Sequence, residues 1–585
     1  MKKIVLSLVM GLFAFASHNA SAQVVGFVTH PVSVRGNLEI GLPASGWGIS
    51  LDTIAVTGRL IVGRGTTVLA AGDSLACDTL LTNAAAVAGK IVVLYRGSCE
   101  FGTKALAAQR AGAIGVIIVN NAAGVAGMAG GGNGINVTIP LVMISNADGI
   151  RLRPSIDNDS TVALIGQKRG QFANDYGFTV GNLIRPIEFS VPRTQALNPG
   201  DYPIKLGANV VNYGQNAQTN VNLNVKIDFT NPAGTTSTVY NQSGTLASLP
   251  KDSIRQILVS DFDPSAFGRG RYLITYEVTA TNPDDFNGDN VSTQGFWLTD
   301  SLYSKARLDS AGLARFSGGV RPSDATAGPY EYGIWFYADR GDLVRVKRLR
   351  FAFVTNAGFQ LINETVVGKV SQWLDVNTNN AIDPGEMIEI GEGFYTYTDS
   401  LGSASLREVA ITDIATNLPG VRLDSNGVYL FSVAYTGVQT GVFTSIDAGM
   451  DYTASQPLYN QFIAPVFVAA WNPNGFGPTR VPAITAIVEE VGSSVKEIRN
   501  DLNIRVYPNP VRDELMIRIN ADNAIGAVNY DVMDIAGRVV MSGTKMVEGL
   551  NDQMSLSVGH LQEGIYTIVM KTNKGFNTSR FVVAK

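Results

Sequence analysis

Residues 89–121 contain two apolar runs on either side of a segment with helical periodicity, and this arrangement constrains the fold more than any other stretch. The first run, KIVVLYR, shows no alternation of apolar and polar residues, which is typical of a strand covered on both faces. The next segment repeats small or apolar residues at spacings that define one helix face: Phe101, Ala105, Ala108 and Gly112. Off that face lie Lys104, Gln109 and Arg110. The second run, IGVIIVN, is another buried strand, so the stretch predicts a strand, a helix and a parallel strand.

The same stretch resembles the protease-associated (PA) domain, and the resemblance extends from about Cys77 to Ile165. The matching residues are Cys77, GKIVVLYRGSC, Phe101, Lys104, AGAIGVIIVNN, the glycines around Met128, and IPLVMISNADG at 139–149. Upstream, AVTGRLIVG at 55–63 is similar to the lead-in of this domain in secreted metallopeptidases. The resemblance implies a non-catalytic α/β domain over residues 23–168 that gates substrate access or binds protein.

The length and composition of the chain indicate several domains that are mainly β. A chain of 585 residues is too long for one ordinary core. The 62 glycines, with many Thr, Asn and Val residues, favour short strands and tight turns. The formal net charge of -4 gives no reason to expect a nucleic-acid partner or an anionic membrane.

The N-terminus has the pattern of an export signal over residues 1–22. Lys2 and Lys3 precede an apolar run, and Ala20-Ser21-Ala22 offers small residues for cleavage. The apolar run at 111–132 is interrupted by Asn120 and Asn121, so we expect no transmembrane span.

The chain has two cysteines, Cys77 and Cys99, and we expect both in an oxidising compartment. One intramolecular disulfide is possible, and closing a loop of this length stabilises by about 3 kcal/mol in the chain-entropy model. The alternative is two buried free thiols.

Three further regions follow the α/β domain. In residues 169–300, alternation over 209–227 predicts a half-buried sheet, and the region resembles the immunoglobulin-like, adhesion-related domains of bacterial surface proteins. Residues 301–480 carry many apolar strand patterns and predict a larger β-sandwich, with a jelly-roll as one form it could take. Residues 481–503 are expected to form a linker.

Four blocks near the C-terminus resemble the type IX secretion sorting domain of Bacteroidota. They are IRVYPNPVRDELMIRI at 504–519, YDVMDIAGRVV at 530–540, LQEGIYTIVMKTN at 561–573, and the terminal FVVAK. The resemblance implies that residues 504–585 form a small β-sandwich recognised by the type IX machinery. The protein would then be secreted or anchored at the cell surface.

The sequence offers few groups for catalysis. The three histidines are His18, His30 and His560, and no HExxH zinc motif is present. GDSL at 72–75 copies the nucleophile block of a lipase family, but no suitable histidine accompanies that serine. The sequence leaves open whether two of its carboxylates form a catalytic pair for glycoside hydrolysis.

One polar loop, DVNTNNAIDPGE at 375–386, has the oxygen spacing of an EF-hand calcium loop. The candidate ligands are Asp375, Asn377, Asn379, the Ala381 carbonyl, Asp383 and Glu386. Strand-like flanks replace the usual helices, so we expect a structural Ca²⁺ site in a β-hairpin. The alternative is a polar turn whose side chains cap their own backbone.

These observations favour an exported, non-enzymatic binding protein that engages extracellular protein or glycan through its PA and β-sandwich domains. Aromatic clusters around Trp335 and Trp471 are compatible with sugar stacking or with core packing. Two alternatives remain: a hydrolase with an unrecognised site in 301–480, and an accessory subunit of a separate peptidase.

Overall fold

The computed structural model describes most of the chain after residue 22. The described ranges are 23–44, 46–66, 75–77, 80–322, 329–398, 405–491, 502–521, 526–535, 537–547, 551–571 and 576–585. The expected signal peptide (1–22) lies outside them, as do residues 492–501 of the expected linker and residues 72–74 of GDSL. The chain divides into two compact units, Met1–Glu490 and Val491–Lys585.

The N-terminal α/β domain (residues 23–168) is built on one eight-stranded sheet. Its strands are β1 Val24–His30, β2 Gly36–Asn37, β3 Ile40–Gly41, β4 Ala55–Val62, β5 Ile91–Tyr95, β6 Gly115–Val119, β7 Leu141–Ile144 and β8 Val162–Gln167. Its helices are α1 Ala84–Val87, α2 Phe101–Arg110 and α3 Asn146–Asp157. The strand order is β2-β1-β8-β4-β5-β6-β7-β3, with β4 to β7 parallel.

Helices cover both faces of this sheet, which explains why its central strands are apolar without alternation. Val92 and Leu94 of β5 belong to the core cluster that contains the alanines of α2. Ile91 and Val93 belong to the cluster on the other face, with side chains of α3. The expected strand, helix and parallel strand are confirmed.

Lys104 of α2 departs from the expectation that it lies off the buried face, because its side chain is completely buried. Its Nζ donates to the carbonyl oxygen of Leu75 and lies 3.8 Å from Cys77 Sγ. Burial lowers the pKa of Lys104 to about 8. Helical spacing alone cannot show that a long side chain carries its ammonium to a buried acceptor.

The first sandwich (residues 169–300) has two mainly antiparallel layers. Its strands are β9 Tyr176–Gly177, β10 Leu183–Ile184, β11 Ser190–Pro192, β12 Gly207–Asn212, β13 Gln218–Thr230, β14 Thr236–Leu249, β15 Ile254–Leu258, β16 Gly270–Thr279 and β17 Val291–Thr299. One layer contains β10-β12-β15 with β9, and the other begins β14-β13-β16-β17, with β11 parallel to β17. The alternation predicted for β13 is confirmed, since Val221, Leu223, Val225 and Ile227 are fully buried.

The second sandwich (residues 301–490) continues the same core. Its elements are β18 Leu302–Ser304, β19 Gly318–Val320, β20 Tyr330–Ala338, β21 Val344–Phe351, β22 Phe353–Thr355, β23 Thr365–Trp373, β24 Met387–Thr396, β25 Arg407–Ala410, β26 Thr412–Asp413, β27 Val421–Arg422, β28 Gly427–Tyr435, β29 Val442–Asp447, α4 Gln456–Tyr459, β30 Val466–Phe467, β31 Trp471–Asn472, β32 Val481–Pro482 and β33 Thr485–Glu490. A seven-stranded sheet has the order β26-β24-β23-β28-β20-β30-β31, and β19-β29-β22 with β32 form a smaller one.

A ten-stranded sheet crosses the boundary that we predicted at residue 300. After β17 it continues β11-β18-β33-β21-β25, with β27 also paired to β21. One core cluster therefore contains residues from Tyr176 to Val488. Residues 481–490, expected to begin a linker, instead form β32 and β33, because β33 pairs with both β18 and β21.

In the part of the C-terminal unit that the structure describes, seven strands form two sheets. They are β34 Leu502–Tyr507, β35 Glu514–Ala521, β36 Gly526–Met533, β37 Val539–Val547, β38 Asn551–Ser557, β39 Gly564–Lys571 and β40 Phe576–Val583. The orders are β34-β35-β38 and β37-β36-β39-β40, and apolar side chains from both sheets form one core. The expected small β-sandwich is confirmed.

A buried ion cluster connects the α/β domain to the first sandwich. Lys168 Nζ donates to Asp175 Oδ1 at 2.5 Å and to Asp289 Oδ2 at 2.7 Å, and all three side chains are buried. The ammonium also lies 4.1 Å from the ring centroid of Tyr213 and 4.4 Å from that of Phe286. Burial raises the pKa of Asp175 to about 7, against the opposing effect of Lys168, and raises that of Asp289. The cluster of one ammonium and two carboxyl groups has no net charge when one of the carboxyl groups keeps its proton.

This cluster predicts a pH-dependent stability. The folded pKa of Asp175 lies above its ordinary value of 3.8, so its contribution is complete below that pH and is lost as the pH rises through about 7. We expect the melting temperature of the wild type to fall between about pH 5 and about pH 8, and Asp175→Asn to flatten that dependence. Thermal unfolding in buffers of equal ionic strength measures both, and equal slopes for the two proteins would contradict the assignment.

Removal of the shared cation is a separate test. Lys168→Met leaves the buried Asp175 and Asp289 side chains without a counter-charge and should cost about 3–5 kcal/mol of unfolding free energy. Lys251→Met is the matched control, because Lys251 lies on the surface, 3.9 Å from Asp252, and its loss should cost less than about 1 kcal/mol. Denaturant titration of both variants gives the comparison.

Candidate functional site

The predicted calcium loop lies between β23 and β24, which pair as an antiparallel hairpin. Both carboxylate oxygens of Asp375 accept backbone N–H groups, from Asn379 at 3.1 Å and Asn380 at 3.0 Å. Asn380 has a φ of 55°, the left-handed conformation that loop position six requires. Ile382 packs into a cluster with Trp335, as the apolar residue of such a loop should. The loop therefore has the expected frame and backbone.

The remaining oxygens of the loop also have protein donors. Asp383 Oδ2 accepts hydrogen bonds from the side-chain amides of Asn377 and Asn379, each at 2.8 Å. These hydrogen bonds lower the pKa of Asp383. The buried Glu386 accepts the backbone N–H groups of Val376 and Asp383, each at 3.1 Å. In the part of the chain that the structure describes, no group of three or more His, Cys, Asp or Glu side chains could hold a metal ion. These hydrogen bonds are those of a self-capped turn, and calcium binding stays a proposal.

Calcium binding can be measured directly. If Ca²⁺ binds with a Kd of about 10⁻⁴ to 10⁻³ M, as in extracellular modules, about 5 mM Ca²⁺ should stabilise the fold by about 1–2 kcal/mol. The Asp375→Ala and Glu386→Ala double variant should show no such gain, and Mg²⁺ at equal ionic strength is the control for screening. A melting temperature of the unmutated protein that Ca²⁺ leaves unchanged would exclude the site.

The expected disulfide is present. Cys77 and Cys99 are bonded with a Cα–Cα distance of 5.7 Å, which lies within the usual range. Cys99 follows β5 and precedes α2, so the bond fixes the start of the helix that covers one face of the sheet. The buried ammonium of Lys104 is beside it.

The N-terminal domain contains an open cavity of about 580 Å³, which we name the N-terminal cavity. The described residues that line it are Val24, Leu42, Pro43, Ala44, Gly46, Trp47, Gly48, Ile49, Ser50, Leu51, Asp52, Ile135 and Val137. Three apolar members are exposed to solvent: Leu42, Ile49 and Ile135. Of the described lining residues, Asp52 is the charged one, and most of the others have apolar side chains.

Trp47 shapes this cavity and depends on the glycine-rich loop beside it. Its Nε1 donates to the carbonyl oxygen of Met128 at 2.7 Å. A Cβ on Gly130 would lie 2.6 Å from Trp47 Cγ, and one on Gly134 would lie 3.1 Å from the ring. The glycines therefore make room for the indole. Sequence reasoning missed the segment around Trp47 because it has no regular periodicity, although a tryptophan between two glycines was a signal.

Two segments of the chain match known domain families. Residues 56–152 match the PA domain, and residues 505–584 match the secretion system C-terminal sorting domain. The chain carries a PA domain and a type IX sorting domain. Outside the segment 42–52, the PA domain has the elements that the match leads one to expect, with the disulfide and the covered parallel strands in place.

Similarities to individual proteins cover parts of the chain. The ER degradation-enhancing alpha-mannosidase-like protein 3 of Xenopus laevis is 32% identical over 135 residues, which are 22% of this chain and 14% of that protein. BSAP, a zinc aminopeptidase from Bacillus subtilis, is 23% identical with a TM-score of 0.18, covering 25% of this chain and 31% of its own. The β-glucuronidase from Ruminococcus gnavus is 12% identical with a TM-score of 0.14, covering 44% and 37%. This chain spans a small part of each protein, and no activity follows from these similarities.

The sorting domain indicates export through the type IX system, followed by secretion or attachment at the cell surface. Across the described residues, no helix has the length and apolar character needed to cross a membrane.

Export provides a test of the sorting domain. A chain that lacks residues 504–585 should accumulate in the periplasm, because the blocks that the machinery reads are missing. Cell fractionation and protease treatment of whole cells compare it with the full chain. Normal surface display of the truncated chain would contradict the assignment.

Proposed function

We propose that this secreted protein is a binding protein whose PA domain takes up an apolar segment of an extracellular protein. The observation that carries the proposal is the N-terminal cavity with its exposed Leu42, Ile49 and Ile135. Its volume of about 580 Å³ is within the range of ordinary ligand sites. Exposed apolar side chains grouped around one concave surface mark interaction sites in soluble proteins.

The lining favours a neutral or apolar ligand over an anionic one. None of the described lining residues is basic, and Asp52 would repel a carboxylate or phosphate. Trp47 is held by Met128 and by the close approach of the glycine loop, so the cavity wall is formed before a ligand arrives. A preformed site loses less conformational entropy when it binds.

The cavity can be tested with casein, a probe rich in accessible apolar segments. Ile135→Asp places a charge on the cavity wall and should weaken casein binding by about tenfold or more, because burying an unpaired carboxylate is costly. Val32→Asp is the matched control, since Val32 is 82% exposed and Ile135 81%, and Val32 does not line the cavity. Biolayer interferometry with immobilised casein measures the affinities. Equal affinities of the two variants would contradict the proposal.

The same protein preparation distinguishes binding from catalysis. A binding protein should leave casein and gelatin intact. Cleavage that persists after repurification would replace the proposal with a hydrolase. Cleavage that requires an added peptidase, and that this chain accelerates, would instead identify an accessory subunit.

A further inference from the structure

A second concave site lies in the second sandwich, away from the N-terminal cavity. It is a cleft of about 160 Å³ between β20, the end of β23, the loop at 374–386 and the segment that follows α4. We name it the aromatic cleft. Its aromatic members are Trp335, Tyr337, Trp373 and Phe462. The liquid volume of one water molecule is about 30 Å³, so the space is several times larger than one water and much smaller than a drug-sized pocket.

Strand register sets the width of the aromatic cleft. Tyr337 of β20 and Trp373 of β23 both pair with Val428 of β28, which lies between them. Neighbouring strands are about 4.8 Å apart, so the two side chains rise from the same face of the sheet about 10 Å from each other. Val428 lines the cleft between them. This spacing leaves a gap for one ring between two aromatic walls.

The aromatic groups are fixed by mutual contact. The ring centroid of Trp335 is 5.1 Å from that of Trp373 and 5.0 Å from that of Phe462. The backbone N–H of Trp335 donates to the carbonyl oxygen of Ile463, which holds the segment after α4 along β20. Trp335 is buried, whereas Tyr337 is exposed and Trp373 and Phe462 are half-buried. The cleft is therefore built on rigid elements and remains accessible.

Two polar atoms in the lining residues lack partners. Trp373 Nε1 and Gln461 Oε1 are buried, and neither has a hydrogen-bond partner among the described residues. An unpaired buried donor or acceptor costs about 1–3 kcal/mol, so such atoms in a native fold usually serve a water molecule or a ligand. A hydroxyl group is able to pair with either atom, because it can accept from an indole N–H and donate to an amide oxygen.

The polar residues of the cleft are amides. Asn380, Asn460 and Gln461 line it, and no described lining residue is charged. Asn380 is held in a left-handed conformation, with its backbone N–H donating to Asp375. Amide side chains offer donors and acceptors to neighbouring hydroxyls, while the absence of a cation in the lining disfavours an acidic or phosphorylated ligand.

We propose that the aromatic cleft binds one neutral sugar ring of a glycan. The ring would lie between the aromatic side chains of Trp373 and Tyr337, with its hydroxyl groups facing the amides and the indole N–H. The site is independent of the N-terminal cavity, so the two can fail or succeed separately.

Saturation-transfer NMR on the full mature chain tests the proposal. The probes are the methyl glycosides of glucose, galactose and mannose, together with glucuronic acid, adenine and N-acetyltryptophanamide. At least one neutral glycoside should bind, and glucuronic acid should bind about tenfold more weakly. Absence of binding by every neutral glycoside would overturn the proposal, as would stronger binding of adenine or N-acetyltryptophanamide than of any glycoside.

Variants locate the binding. Gln461→Leu keeps the size of the side chain and removes its polar atoms, and Trp373→Ala removes one wall; each should weaken glycoside binding by about tenfold. Phe394→Ala is the control, because Phe394 is an exposed aromatic residue of the same sheet that does not line the cleft. Melting temperatures identify any variant that fails to fold. If Trp373→Ala does not fold, Gln461→Leu alone tests the proposal. Unchanged glycoside affinity in folded Gln461→Leu would place the binding elsewhere and overturn the proposal.

Discussion

The arrangement of the first two domains depends on the buried contact of Lys168 with Asp175 and Asp289. Lys168 directly follows β8, which pairs antiparallel with β1 and β4, while Asp289 lies just before β17, the last long strand of the first sandwich. Gly177 allows this approach, since a Cβ there would lie 2.5 Å from the Asp289 carboxyl carbon. Around the ions, Phe27 of the PA domain lies 5.6 Å from Phe172 and 5.2 Å from Phe286, between ring centroids. The apolar contact buries surface area between the two domains, whereas the directional ion pairs determine which of their loops meet.

The shared ten-stranded sheet has a similar effect on the two sandwiches. Because β11 and β18 lie between β17 and β33, this sheet runs without interruption from the first sandwich into the second. A second buried pair lies here, in which Lys305 Nζ is 3.2 Å from Glu188 Oε1 and Tyr202 donates to Glu188 Oε2 at 2.9 Å. The result is one continuous core from the first sandwich to β33. The aromatic cleft thus lies on a sheet whose partner layer extends back into the first sandwich, before residue 300.

Sequence patterns predicted those strands and turns that are determined by interactions within short segments of the chain. The covered strands of the PA domain, the alternating β13 and the hairpin around residues 375–386 follow from periodicity and turn chemistry within short windows. The ion partners of Lys168 could not be predicted, because Asp289 is 121 positions away and lies in what looked like an ordinary polar turn. The strand at Thr485–Glu490 was missed because its two neighbours, β18 and β21, are distant in sequence.

The aromatic cleft could not be predicted either, because its residues are distant from one another in sequence. Trp335, Trp373 and Gln461 are far apart in the chain, and each alone is compatible with a core or surface position. Strand order brings the two tryptophans together, since β20 and β23 flank β28, although β24 to β27 lie between β23 and β28 in sequence. Two of its lining residues, Trp373 and Gln461, carry buried polar atoms without partners among the described residues, which apolar packing alone does not require. In the proposed complex, the sugar hydroxyl groups would face both the amide of Asn380 and the unpaired indole of Trp373, which come from different segments of the chain.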